Sequence, residues 1–168
     1  LLNCIQCILM PTTMVIQSPL SWLKLISTHN VTHSGGPNFI YDHCVSYIAD
    51  VDLNSLDLSK WKLAYNGSEP IKKETIDHFI DKFSICGFKK GAFYTCYGLA
   101  EATLLVSGGN YESSETNSVS SGKICDGIEV KLIDPKTKKE VNDYGEICLY
   151  GQTISQGYWN KKSEIFFL

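Results

Sequence analysis

Arginine is absent from this sequence of 168 residues, and lysine supplies all 15 of its cationic side chains. Any phosphate bound by these residues must therefore be held by backbone amides, by lysine or by a metal ion, unless a group outside the sequence supplies the contact. No basic cluster is longer than two lysines, and the net charge is −3. This charge balance argues against a nucleic acid partner.

Long apolar runs are also missing. No stretch approaches the roughly 20 apolar residues that a membrane-spanning helix needs, and the first residues lack the basic region of a secretory signal peptide. We therefore expect no transmembrane segment and a cytoplasmic location. The hydrophobic content of 43% nevertheless suffices for a folded domain with a core, and excludes a disordered chain.

Cysteine, by contrast, is frequent. Most of the seven cysteines lie within apolar runs, which predicts reduced, buried thiols. Cys4 and Cys7 have the C-x-x-C spacing of half a zinc site or of a redox pair. No second pair and no nearby histidine accompanies them, so the alternative interpretation is plain packing.

The order of apolar segments predicts the fold class. Strands expected over 4–10, 31–34, 61–65 and 92–97 alternate with helices that begin at Ser18-Pro19, at Pro37 and at Glu69-Pro70. Such alternation is typical of an α/β fold with a mainly parallel sheet and helices on its faces. We therefore divide the chain into an α/β part over 1–106, a polar loop over 107–122 and a smaller antiparallel, barrel-like β element over 123–168.

A tyrosine, a glycine and a glutamate follow the last α/β strand. The Tyr97 ring can lie on a purine, and Gly98 lets the backbone approach a ligand closely. The Glu101 carboxylate can occupy one position on Mg²⁺. Open α/β sheets bind ligands at this carboxyl edge. The alternative is an ordinary strand end with a solvated glutamate.

A second motif, Gly67-Ser68-Glu69-Pro70, follows the preceding strand. Gly67 permits a tight turn, and a helix that begins after it would present free amides and a positive dipole end to an adenine or a phosphate. The alternative is a plain helix N-terminus, at which the dipole favours Glu69.

A third motif joins a strand to a helix through Gly35, Gly36 and Phe39. Two glycines leave a smooth backbone surface along which an acyl chain could pass, with Phe39 as an apolar wall. The alternative is a turn that requires a positive φ angle. Two later motifs, 145–147 and 157–160, are interpreted as structural turns.

Taken together and in this order, the motifs resemble the fatty-acyl-AMP ligases of the acyl-adenylate-forming superfamily. The segments SGGPNFIYDHC over 34–44 and YGLAEATLLVS over 97–107 point to that branch. The resemblance implies a ligase that uses ATP and Mg²⁺ to convert a fatty acid into an acyl-AMP. The acyl group would then pass to an acyl carrier protein or to the carrier domain of a polyketide synthase.

The resemblance also implies roles for individual residues. The adenine would be flanked or stacked by six residues, namely Gly67, Ser68, Glu69, Tyr97, Gly98 and Leu99. Glu101 would hold Mg²⁺. Gly35, Gly36 and Phe39 would border the acyl tunnel.

Some parts of the family pattern are not found between residues 1 and 168. These are the phosphate loop, the ribose-binding aspartate and the lysine-bearing C-terminal domain, so we expect a central fragment that is inactive alone, with no catalytic residue of its own. The stretch 107–122 is shorter than expected for the branch, which leaves the choice between a carrier protein and coenzyme A open. The alternatives are therefore a fragment of an acyl-CoA synthetase and a non-catalytic AMP-binding remnant.

Overall fold

The computed structural model describes residues 5–113 and 117–160. Five helices and eight strands occur in these ranges. The helices are α1 (Thr12–Gln17), α2 (Pro19–Thr28), α3 (Asn38–Tyr47), α4 (Asp50–Leu53) and α5 (Lys73–Phe83). The strands are β1 (His33–Gly36), β2 (Leu63–Asn66), β3 (Phe93–Leu99), β4 (Leu104–Asn110), β5 (Lys123–Ile124), β6 (Ile128–Ile133), β7 (Glu140–Val141) and β8 (Glu146–Gly151).

The larger sheet has five strands in the order β1-β2-β3-β4-β5. β1, β2 and β3 are parallel, as the alternation of strands and helices predicts, whereas β4 and β5 are antiparallel. In the parallel part Gly36 pairs with Asn66, and Asn66 pairs with Thr95. The carboxyl ends of β1 and β2 and the middle of β3 therefore lie side by side.

An aromatic cluster holds the helices on this sheet. The Trp61 ring lies 5.3 Å from Trp22 and 6.2 Å from Phe79, both edge to face, and the Tyr41 ring lies 5.0 Å from that of Phe93. All five side chains are buried. Edge-to-face pairs add to the stabilisation that area burial provides. The helices α2, α3 and α5 thus share one core with β2 and β3.

A second sheet, ordered β7-β6-β8, is antiparallel throughout. Ile128, Val130 and Leu132 alternate with charged residues, a pattern typical of a strand, and all three lie in β6. The turn that follows β6 is stabilised by hydrogen bonds from Lys136 N and Thr137 N to the Asp134 carboxylate. In the described part of the chain this sheet is open, so the barrel-like element of the prediction is three strands that do not close.

Several local predictions are wrong. Residues 5–10 form no strand and Leu9 is 88% exposed, since no described strand lies beside them to supply the hydrogen bonds that a strand needs. The third helix begins at Lys73 rather than at 69–70, because Lys72 has an extended backbone (φ −101°, ψ 128°) and forms a β-bridge with Ser118. Within the β element expected over 123–168, residues 153–158 form a turn, a bend and irregular backbone and no strand.

The polar stretch predicted from residue 107 begins later, because 107–110 belong to β4. Here the chain reverses through the 3-10 turn Ala100–Ala102 and pairs back onto β3. In this hairpin Ser107, Gly108, Gly109 and Asn110 are part of a strand, which their composition alone does not indicate.

The thiols are less uniformly buried than predicted. The six described cysteines are all free; Cys44 and Cys86 are buried, Cys7 is exposed, and the others are half-buried. Cys4 lies outside the described residues. Burial raises the pKa of the Cys44 thiol, so this thiol stays protonated and behaves as a small apolar side chain. Within 5–113 and 117–160, no helix has the length and apolar character needed to cross a bilayer.

Candidate functional site

Each of the three predicted motifs lies at the carboxyl end of one strand, β1, β2 or β3. Strand β3 extends to Leu99, beyond Thr95, which pairs with the last residue of β2. Gly35 and Gly36 end β1, Gly67 follows β2, and Tyr97 lies near the end of β3. Because the three strands are parallel and adjacent, the motifs meet at one edge of the sheet. The predicted juxtaposition thus arises from topology rather than from proximity in sequence.

A cleft of about 240 Å³ opens beside the end of β3. Tyr97 and Leu99, both half-buried, line it together with Glu101. The opposite wall comes from β8, through 146–150, and from Ile154 and Tyr158. An aromatic residue, an aliphatic residue and a carboxylate residue therefore line one cavity.

The Glu101 carboxylate is held by Tyr158, which lies in a segment predicted to be a structural turn. The Tyr158 hydroxyl donates a hydrogen bond to Glu101 Oε1. This bond, with the backbone amide of Glu101 itself, lowers the pKa of the Glu101 carboxyl, so the group is ionised at neutral pH. The backbone of Glu101 is fixed as well, because its carbonyl accepts a hydrogen bond of 2.7 Å from Ser155 N.

Gly67 is required by the close approach of β3. A Cβ atom at Gly67 would lie 2.7 Å from both the carbonyl oxygen and the sulfur of Cys96, the residue before Tyr97. Gly67 is buried, whereas Ser68 and Glu69 are exposed beyond it. The second motif thus packs directly beside the first, although Gly67, Ser68 and Glu69 do not line the cleft around Tyr97.

The backbone N–H of Phe39 donates a hydrogen bond of 2.6 Å to Glu69 Oε1. Glu69 therefore lies at the N-terminus of α3 and not, as predicted, at the start of the following helix, α5. Phe39 is 47% exposed. The second and third motifs are thus joined by a direct contact.

Gly35 and Gly36 lie in β1 itself and not in a turn, and neither has a positive φ. A Cβ atom at Gly35 would lie 2.1 Å from the carbonyl oxygen of Tyr65 on β2. At Gly36 the nearest atom would be Cγ2 of Ile40, at 3.2 Å. The turn alternative for this glycine pair is therefore wrong, and close strand packing explains Gly35.

Two residues with a place in the site were missed. The pattern over 157–160 indicates only a turn, and no sequence signal connects Tyr158 with Glu101, 57 positions earlier. Asn38, within the third motif, is not among the predicted site residues, yet it is 5% exposed and its side chain forms hydrogen bonds with three other groups. A buried amide must find hydrogen-bond partners, but the sequence around Pro37 does not indicate that Asn38 is buried.

The donor set fits a magnesium ion that is shared with a phosphate ligand. Mg²⁺ is bound in many nucleotide sites by one or two carboxylates together with phosphate oxygens and water. Glu101 offers one ionised carboxylate on the cleft. Among the described residues no group of three or more histidine, cysteine, aspartate or glutamate side chains is arranged to hold a metal by itself.

Comparison with known proteins gives a consistent assignment. The AMP-binding enzyme family matches residues 1–159. The medium-chain-fatty-acid–[acyl-carrier-protein] ligase JamA of Moorena producens is 36% identical over 95% of this chain and 32% of its own length. The corresponding ligase TtuA of Teredinibacter turnerae is 38% identical over 92% of this chain and 28% of its own.

Solved structures agree with this result. A fatty acyl-adenylate ligase from Legionella pneumophila, in complex with acyl adenylate and pyrophosphate, superposes with a TM-score of 0.85 and 43% identity over 94% of this chain and 32% of that one. The chain thus spans about a third of the length of the proteins it matches. The three motifs, the mixed sheet and the family match together show that this chain belongs to the AMP-binding enzyme family.

Proposed function

We propose that the protein containing this chain activates a fatty acid as its acyl-AMP and passes the acyl group to a carrier protein. In the first step a carboxylate oxygen of the fatty acid attacks the α-phosphorus of ATP. The new P–O bond forms as the bond to the bridging oxygen breaks, and pyrophosphate leaves with that electron pair. In the second step a phosphopantetheine thiolate attacks the acyl carbonyl, and AMP is the leaving group.

One observation carries this proposal: Tyr97 and Glu101 face the same cleft at the ligand-binding edge of a parallel sheet. Tyr97 supplies a ring that can stack on adenine. Gly98 lies at a shift in the β3–β4 register, where β4 comes so close that a Cβ atom would meet the Leu104 carbonyl oxygen. Leu99 adds an apolar wall, while Gly67 and Ser68 offer backbone at the neighbouring strand end.

Glu101 would hold Mg²⁺, since its carboxylate is ionised and directed to the cleft. When bound, such an ion neutralises phosphate charge as the P–O bond breaks. Tyr158 and Ser155 keep the carboxylate and its backbone in place. Gly36 and Phe39, at the adjacent strand end, would border the acyl chain. We place this activity in the cytoplasm.

The relatives support the choice of fatty acid and carrier protein. JamA and TtuA are named as medium-chain-fatty-acid–[acyl-carrier-protein] ligases, and the Legionella pneumophila structure contains an acyl adenylate. More distant relatives, 28% identical, are named as putative fatty-acid–CoA ligases. Coenzyme A is therefore the acceptor that a test must compare with a carrier protein.

The test is fatty-acid-dependent exchange of pyrophosphate into ATP by the full-length protein. We expect exchange with the wild type, and we expect Tyr97→Ala to raise the KM for ATP by about tenfold or more, since stacking on a base contributes about 1–3 kcal/mol. Tyr97→Phe keeps the ring and should stay near the wild type. A wild type that shows no exchange with any chain length would contradict the proposal.

Product analysis then separates the acceptors. With a phosphopantetheine carrier protein and free coenzyme A present together, the acylated carrier protein should be the main thioester product. Acyl-CoA as the main product would indicate an acyl-CoA synthetase instead. If the full-length protein binds AMP in calorimetry but catalyses no exchange, it is a non-catalytic AMP-binding protein.

A further inference from the structure

Helix α3 begins without a side-chain cap of its own. Its N-cap residue is Pro37, which has no side-chain acceptor, and no acidic residue lies in its first turn. The first N–H groups of a helix need an external acceptor. Phe39 N–H finds one in the Glu69 carboxylate at 2.6 Å, and the negative charge also complements the helix dipole.

A second set of hydrogen bonds fixes the same helix end. Asn38 Nδ2 donates to Thr75 Oγ1 at 3.2 Å, while Asn38 Oδ1 accepts from Asn66 Nδ2 at 3.3 Å and from Lys72 N at 3.1 Å. These groups surround the buried Asn38 side chain. The start of α3 is therefore tied to the segment 66–75, which contains the second motif.

From this arrangement we propose that Glu69 is a positioning residue for the acyl-side wall and not a contact of the adenine. The proposal rests on the proposed function. Glu69 holds the backbone of Phe39, and the direction of the Phe39 side chain follows from that backbone. Loss of the carboxylate should then disturb binding of the fatty acid and leave binding of ATP nearly unchanged.

The experiment measures KM for fatty acid and KM for ATP separately in the full-length protein. Glu69→Ala should raise the KM for fatty acid by about tenfold, because a hydrogen bond to a charged acceptor is lost. The KM for ATP should change by less than about twofold, which is below the effect of one hydrogen bond. Glu69→Gln keeps a side-chain carbonyl that can accept from Phe39 N–H, and should recover most of the fatty acid affinity.

Lys82→Met is the matched control, because Lys82 Nζ bonds the carbonyl oxygens at the opposite end of the same helix, at 2.7 Å from Val45 O and 2.5 Å from Ile48 O. It should lower stability without changing either KM. A fatty acid KM that rises equally in Lys82→Met would overturn the proposal, as would a rise confined to the KM for ATP in Glu69→Ala.

An activity-independent readout separates this proposal from the proposed function. Hydrogen exchange at the Phe39 amide should accelerate by about tenfold in Glu69→Ala and stay near the wild-type rate in Glu69→Gln. If the wild type lacks fatty-acid-dependent exchange, the proposed function fails, and the Phe39 amide still reports on the contact. An amide rate that is unchanged in Glu69→Ala overturns the positioning role by itself.

Discussion

At the scale of single residues, Gly35 shows how strand packing, and not conformational freedom, can require a glycine. A Cβ atom at residue 35 would lie 2.1 Å from the carbonyl oxygen of Tyr65, which is too close for two non-bonded atoms. We expect Gly35→Ala to push β1 away from β2 and lower the free energy of unfolding by about 2–4 kcal/mol, measured by urea denaturation. Gly91→Ala is the control, since nothing lies within 4 Å of its Cβ position; it should stay within about 0.5 kcal/mol. Equal losses in both variants would contradict this explanation.

The bond between Tyr158 and Glu101 gives a second prediction at this scale. A carboxyl whose pKa is lowered by folding stabilises the fold above its unfolded pKa, and that contribution is lost as the pH falls through the lower, folded pKa. Wild type and Tyr158→Phe should therefore differ in stability at pH 7 and converge in acid below the ordinary glutamate pKa of about 4.3. NMR titration should show the Glu101 pKa rising in Tyr158→Phe. An unchanged pKa would mean that Tyr158 does not stabilise the carboxylate.

At the scale of elements, opposite charges hold the two ends of α3. The Glu69 carboxylate accepts a hydrogen bond from the first turn of α3. Lys82, which lies on α5, donates hydrogen bonds to two carbonyl groups at the last turn of α3. Both charges complement the helix dipole. Lys82→Met keeps the apolar stem but removes these bonds, so thermal or urea denaturation should show a loss of about 1–2 kcal/mol. Lys24→Met, a lysine exposed on α2, should change stability by less than about 0.5 kcal/mol. A loss as large in Lys24→Met would argue against a capping role for Lys82.

The elements themselves were predictable where one periodicity dominated. The strands β2 and β3, the helices α2 and α3 and the alternation along β6 follow from local apolar spacing. The strand expected over 31–34 is found at His33–Gly36, two residues later, because its pairing with β2 decides its bounds. Local apolar spacing does not indicate which residues pair when they are far apart in the sequence. The β3–β4 hairpin, the late start of α5 and the contact between Glu69 and Phe39 each depend on a partner that is remote in sequence.

At the scale of the whole molecule, the two sheets are joined beside the cleft. Thr103 Oγ1 donates to Thr153 O and Ser155 N donates to Glu101 O, both at 2.7 Å, and Tyr158 bonds Glu101. These contacts link the turn after β3 with the segment that follows β8. The cleft is lined by Tyr97 on one side and by β8 on the other, so neither sheet forms it alone. The candidate site therefore requires both sheets to be folded and in contact. The motifs that predict it, however, all lie on the larger sheet or in the turns that follow its strands.

Nucleotide binding should therefore stabilise both sheets together. A ligand that binds only the folded cleft adds stability by mass action, about 2.7 kcal/mol at 100 times its Kd. With AMP as the probe, hydrogen exchange in the full-length protein should slow at the end of β3 and also along β8 (Glu146–Gly151), which lies in the other sheet. Tyr97→Ala should lose the protection in both places at the same AMP concentration, whereas Tyr97→Phe should keep it. Protection confined to β3, or protection of β8 that survives in Tyr97→Ala, would show that the bound nucleotide does not occupy the cleft between the sheets.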